Sequence, residues 1–154
     1  MVLSLAELQQ RCSRLAGEAF RRDGLRAMVW LTEDANGATQ ALDTPYSAPA
    51  EVDDATALKA LVAEMRADFA HDRVTGYAVA FIGRGTFTGI GCAILARPPS
   101  VRRLVVVIEA HDGRDSLVAT RDIEAGMRLG PLQRHARATG RFGGLLARES
   151  EEPA

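Results

Sequence analysis

The chain has 154 residues, of which 47% are hydrophobic and 25% charged, and its formal charge is −1. That length suits one domain with a substantial core, and the near-neutral charge excludes a general attraction to nucleic acid or to anionic membrane. Lys59 is the only lysine, so the basic side chains are otherwise all arginine, a group that favours planar, bidentate contacts.

Taken from its start, the chain opens with Ser4-Leu5-Ala6-Glu7, a capping box in which the Ser oxygen takes the N3 amide and the Glu reaches back. Leu8, Cys12, Leu15 and Ala19 follow at helical spacing and predict one apolar stripe. Gln9, Arg11, Arg14 and Glu18 are expected on the solvated face. Arg21 and Arg22 suit the negative end of the helix dipole, and Gly24 is a C-terminal stop. The opening MVLSLAELQQR lacks the basic and apolar regions of a signal peptide. Nor does any apolar run reach the roughly 20 residues of a membrane-spanning helix. The expectation is a soluble cytoplasmic protein whose two cysteines, Cys12 and Cys92, are reduced and act as small apolar groups.

Residues 27–32 (AMVWLT) read as a strand. Asn36-Gly37 is a strong hairpin signal, 38–42 the return, and the prolines at 45 and 49 close it. Asp53 or Asp54 can cap a second helix. Leu58, Leu61, Val62, Met65 and Phe69 predict that helix to about Ala70. Residues 74–82 read as a buried strand, followed by a glycine-rich stretch from Gly83 to Gly91. The centre of the fold is expected at RRLVVVIEAHDGRDSLVATRDI, residues 102–123. Leu104 to Ile108 is rich in β-branched Val and Ile and apolar on both faces, hence an interior strand. Asp112-Gly113 turns the chain, and Ser116 to Thr120 returns. Beyond Leu132, charge and glycine dominate.

Hairpin-joined strands with two helices long enough to cover one face predict an α+β single domain over 1–132. Its sheet is mainly antiparallel, of about five strands. Residues 133–154 are expected to form a polar, partly disordered tail, with Phe142, Leu145 and Leu146 as a small apolar cluster outside the domain. The segments LAELQQRCSRLAGEAFRRDG, LDTPYS, ALKALVAEMRADF, RRLVVVIEAHDGRDSLVATRDI and LGPL resemble small uncharacterised bacterial and phage proteins. The stretch from Gly83 to Gly91 departs from that pattern. The resemblance implies one compact domain and no activity.

Four features could carry chemistry. Gly83-x-Gly85-x-x-x-Gly89 follows a strand, as a phosphate-cradling loop does, but it lacks the following helix and a Walker lysine. Glu109 and His111 point the same way on a strand, a metal or acid–base pairing. His71, Asp72 or His135 would be the third ligand, though none stands at a recognised ligand spacing. Ser47, Ser100 and Ser116 are available as nucleophiles, but none lies in a G-x-S-x-G elbow. Arg134, Arg137 and Arg141 make a locally basic arm that could contact phosphates, opposed by the acidic end. No catalytic, cofactor or metal residue is therefore assigned. The expectation is a non-enzymatic interaction or accessory protein, with a protein partner or a second copy of itself. The alternatives are a metal-assisted hydrolase using Glu109 and His111, and a nucleic-acid-binding protein using the arginine-rich tail.

Overall fold

The computed structural model describes residues 3–45, 55–84, 104–136, 140 and 142–146. Its elements run α1 (Leu5–Asp23), β1 (Ala27–Asp34), β2 (Thr39–Pro45), α2 (Ala55–His71), β3 (Val74–Arg84), β4 (Leu104–His111), β5 (Ser116–Glu124), β6 (Arg128–Leu129) and β7 (Gln133–Arg134). The strands form one antiparallel, seven-stranded sheet ordered β2-β1-β3-β4-β5-β6, with β7 also on β5. This is the α+β architecture read from the sequence. The two short strands after Glu124 raise the strand count above the expected five.

Both hairpins turn where glycine supplies a positive φ, Gly37 at 82° and Gly113 at 87°. β4 lies between β3 and β5, and its alternation divides the core. Val106, Ile108 and Ala110 join Val29, Leu31, Ala78 and Ala80 beneath α1. Val105 and Val107 join Met28, Trp30, Val79 and Phe81 with Met65 and Phe69 of α2. The two helices therefore cover opposite faces, not one. A sheet apolar on both sides requires a cover on each. At its rim the alternation fails: Leu104 is 44% exposed.

The capping box forms as read. Ser4 Oγ accepts from the Glu7 amide, the Glu7 carboxylate accepts from the Ser4 amide, and Gly24 closes α1 at φ 78°. The Ser4 amide and hydroxyl hold the Glu7 carboxyl below its ordinary pKa. The buried stripe, however, is wider than the apolar residues mark. Gln9 is fully buried, where it donates to the Ile108 carbonyl at 2.9 Å and accepts from Arg134 Nε at 2.8 Å. Both polar ends of its amide are satisfied, so its burial is tolerated. Glu33 is a buried acid that the alternation does not announce; its carboxylate accepts from the Leu3 amide at 2.9 and 3.1 Å. In α2, Met65 and Phe69 are buried and Leu61 and Val62 half-buried, as the spacing predicts. The caps proposed at Asp53 and Asp54, the glycines after Gly83, and Cys92 lie outside the described residues.

Cys12 is free and buried. Burial pushes its thiol well above the ordinary value, because a thiolate there would lose its hydration. The folded state therefore holds this proton more tightly than the unfolded chain does. Its contribution to stability is complete below the free-thiol value, about 8.5, and is lost as pH rises above it. Denaturation midpoints should fall from about pH 8.5 upward, with a limiting slope of about 1.4 kcal/mol per pH unit per proton. Peptide-resolved alkylation should leave Cys12 unmodified in the folded protein and label it on unfolding. Rapid native labelling of Cys12 would contradict its placement.

Candidate functional site

The β4–β5 hairpin assembles the site. Asp112 Oδ1 accepts from the Arg114 and Asp115 amides, each at 2.8 Å, and the Asp112 amide donates to the Asp115 carbonyl at 3.2 Å. These bonds close the loop so that the last residue of β4, His111, stands opposite the first of β5, Ser116. His111 is also paired with Tyr77 on β3. The three residues thus share one row across the sheet, on the face that α2 covers. Glu109 lies two residues back on β4 and faces the same way.

His111 Nδ1 is 2.7 Å from Ser116 Oγ, and His111 Nε2 is 2.9 Å from Glu109 Oε1. Glu109 Oε1 also accepts from the Phe142 amide at 3.0 Å. A carboxylate only accepts, so the bonding pattern places a ring proton on Nε2. In the neutral ring Nδ1 is then the acceptor and the Ser116 hydroxyl the donor. Glu109 is 0% and His111 4% exposed, whereas Ser116 is exposed. The chain thus runs from a dry carboxylate, through a nearly buried imidazole, to a hydroxyl at the surface. Where it emerges there is a cavity of about 240 Å³, whose walls include Tyr77, His111, Arg114, Ser116, Gly144 and Leu146.

Gly140 and residues 142–146 close the site from above. The Tyr77 hydroxyl donates to the Phe142 carbonyl and accepts from the Leu145 amide at 3.4 Å. Arg66 of α2 donates to the Gly144 carbonyl at 2.6 Å. Phe142 and Leu145 are fully buried in the α2-side core. Phe142 packs edge-on against Trp30 and Phe81, with ring centroids 5.6 and 5.0 Å apart. The apolar cluster expected outside the domain therefore finds its partner in the domain's own sheet. Burial raises the Tyr77 phenol well above its ordinary pKa; the Leu145 amide, acting in the opposite direction, only partly offsets it.

Gly140 meets Glu109 so closely that a Cβ there would collide with the carboxylate. Gly140→Ala should therefore destabilise the fold by about 1–3 kcal/mol, the usual cost of overpacking. Chemical denaturation measures it, and an unshifted midpoint would mean that the segment does not rest on Glu109.

The other sequence candidates are not brought to this site. His71 and Asp72 end α2 and are exposed. The His135 ring nitrogen Nε2 is bonded to Thr120 Oγ1 at 2.7 Å, and partial burial holds its pKa below the ordinary value. No group of three His, Cys, Asp or Glu side chains suited to a metal ion occurs among the described residues. Ser47 and Ser100 lie outside them. Ser116 was visible only as one serine among several. The register of its hairpin was the signal that pairs it with His111, whereas nothing local marks the roles of Tyr77, Gly140 and the Phe142 amide.

No family model, no curated protein and no solved structure matches the chain. No helix among the described residues is long and apolar enough to cross a membrane.

Proposed function

We propose that this protein is a non-catalytic, cytoplasmic interaction domain, an accessory factor of the phage-related kind, whose partner is another protein or a second copy of itself. The observation that carries this reading is the use made of Glu109. Its Oε1 accepts from both His111 and Phe142 in a fully buried position, so the one acid–base pair read from the sequence serves to clasp residues 142–146 to the sheet. The exposed, polar cavity beside that clasp is the contact surface this reading assigns. Native mass spectrometry of the purified protein at modest salt tests it. The expected result is a bare chain or a homo-oligomer. A stoichiometric metal adduct, lost in His111→Ala, would overturn it in favour of the metal-assisted hydrolase.

A second reading has one specific observation in its favour, the 2.7 Å contact between Ser116 Oγ and His111 Nδ1. A hydroxyl nucleophile bonded to a base, with the base oriented by a third group, is the arrangement of nucleophilic acyl transfer. Here Nδ1 would take the hydroxyl proton as Oγ attacks, and Glu109 would hold the resulting imidazolium. A fluorophosphonate probe decides between the two readings. Modification at Ser116 that disappears in His111→Ala would establish the hydrolase, and an unlabelled Ser116 keeps the interaction reading. Nucleic-acid binding through the arginine-rich tail draws no comparable support. Arg134 is bonded to Gln9, and Phe142 is in the core, so this much of the tail is spent on folding.

A further inference from the structure

The face that α1 covers carries a second cavity of about 240 Å³, into which Arg21, Arg121 and Arg128 converge. Arg121 is held in place. Its Nε donates to the Gly130 carbonyl at 2.7 Å, and its Nη1 lies 3.3 Å from both the carbonyl and the hydroxyl of Ser13. A Cβ on Gly17 would stand 3.3 Å from Arg121 Nη1 and 3.9 Å from Arg21 Nη1. Two guanidinium groups therefore flank one bare backbone position on α1. No described carboxylate forms an ion pair with any of the three arginines. The Glu124 carboxylate leans on Gly130 instead. Burial, and then the nearby Arg21, lower the Arg121 pKa.

The remaining walls are apolar. Phe20 is buried against the core and Leu129 half-buried. Met127 stands at the rim, 63% exposed and at φ +57°. That conformation is uncommon for a residue with a side chain, and it follows Gly126, itself at φ +79°. An unbranched apolar side chain held out in a strained turn, beside guanidinium groups that no described carboxylate pairs with, fits a ligand with one charged end and one apolar body.

We propose that this cavity binds a small organic phosphate, its phosphoryl oxygens taken by Arg21, Arg121 and Arg128 and its apolar part laid against Phe20, Leu129 and Met127. Guanidinium groups match phosphate oxygens bidentately, and a dianion supplies the counter-charge that no described carboxylate provides. The site is on the opposite face of the sheet from the Glu109 clasp and does not depend on the reading of that clasp.

Titration calorimetry of the full chain with phenyl phosphate and with inorganic phosphate tests the proposal. Phenyl phosphate should bind saturably, at least tenfold more tightly than inorganic phosphate and more weakly as salt is raised. Arg21→Gln and Arg128→Gln should each weaken it about tenfold. Both side chains are exposed, so melting curves should match those of the parent. Absent binding, or affinity unchanged in both variants, would overturn the site. Equal affinity for the two ligands would overturn its apolar half. Binding to vesicles containing phosphatidic acid, without binding to phenyl phosphate, would assign the arginines to a membrane surface and sink the proposal.

Discussion

Glu109→Ala should destabilise the protein by about 3–5 kcal/mol, the usual cost of removing one partner from a buried ionisable pair. Three losses coincide. His111 Nε2 and the Phe142 amide lose the acceptor that they share, and water cannot replace it at a position with 0% exposure. Each orphaned donor bears its own desolvation cost. The truncated side chain also leaves a space between β4 and Gly140. Glu109→Gln keeps an acceptor oxygen and the volume, so it should cost clearly less. For a domain of this size each kcal/mol moves the melting temperature by about 2–4 °C, so thermal denaturation separates the two variants easily. Equal midpoints for Glu109→Ala and the parent would mean that the clasp is not formed in solution. The proposed non-catalytic role of the pair would fall with it.

The parts of this fold legible in the sequence are those that one element decides alone. The capping box, the Gly24 stop, both glycine turns and the interior position of Val105–Ile108 follow from local stereochemistry and periodicity, and each is where it was read. Less legible were the features that depend on two distant segments meeting. Gln9 looked like a surface residue because its amide finds Ile108 and Arg134 only once α1 lies on the sheet. Glu33 fell just beyond the strand read over 27–32, and nothing local marked its burial, because its partner, the Leu3 amide, approaches from the other end of α1. The same holds for the candidate site. Glu109 and His111 were visible as a same-face pair, and the Asp112-Gly113 turn brings Ser116 opposite His111. No periodicity could show that Glu109 also accepts from the backbone amide of residue 142. The glycine content that made this stretch read as a tail is what lets Gly140 and residues 142–146 pack on the sheet. Gly140 avoids the carboxylate, and Gly144 adopts φ +79°.

Phe142→Ala carries the second large effect and tests that last point directly. A fully buried phenyl ring touching Trp30 and Phe81 should cost about 3–5 kcal/mol when truncated. A residue in a solvated tail would cost nothing measurable. Residues 142–146 are fastened by a few bonds, so the variant can also relieve its cavity by releasing the segment. That route would expose Trp30, whose indole N–H has no partner among the described residues. Trp30 fluorescence would then shift to the red under native conditions, and hydrophobic dye would bind. A double-mutant cycle with Glu109→Ala separates packing from clasping. If the segment is held jointly by the Phe142 ring and the Glu109 carboxylate, removing either already loosens what the other holds. The two losses should then fall short of additive by about 0.5–3 kcal/mol, the range for residues in direct contact. Full additivity would mean that Glu109 stabilises β4 through His111 alone and that the Phe142 amide bond contributes little. A negligible cost for Phe142→Ala would return residues 133–154 to the role of a solvated arm and reopen the nucleic-acid reading of its arginines.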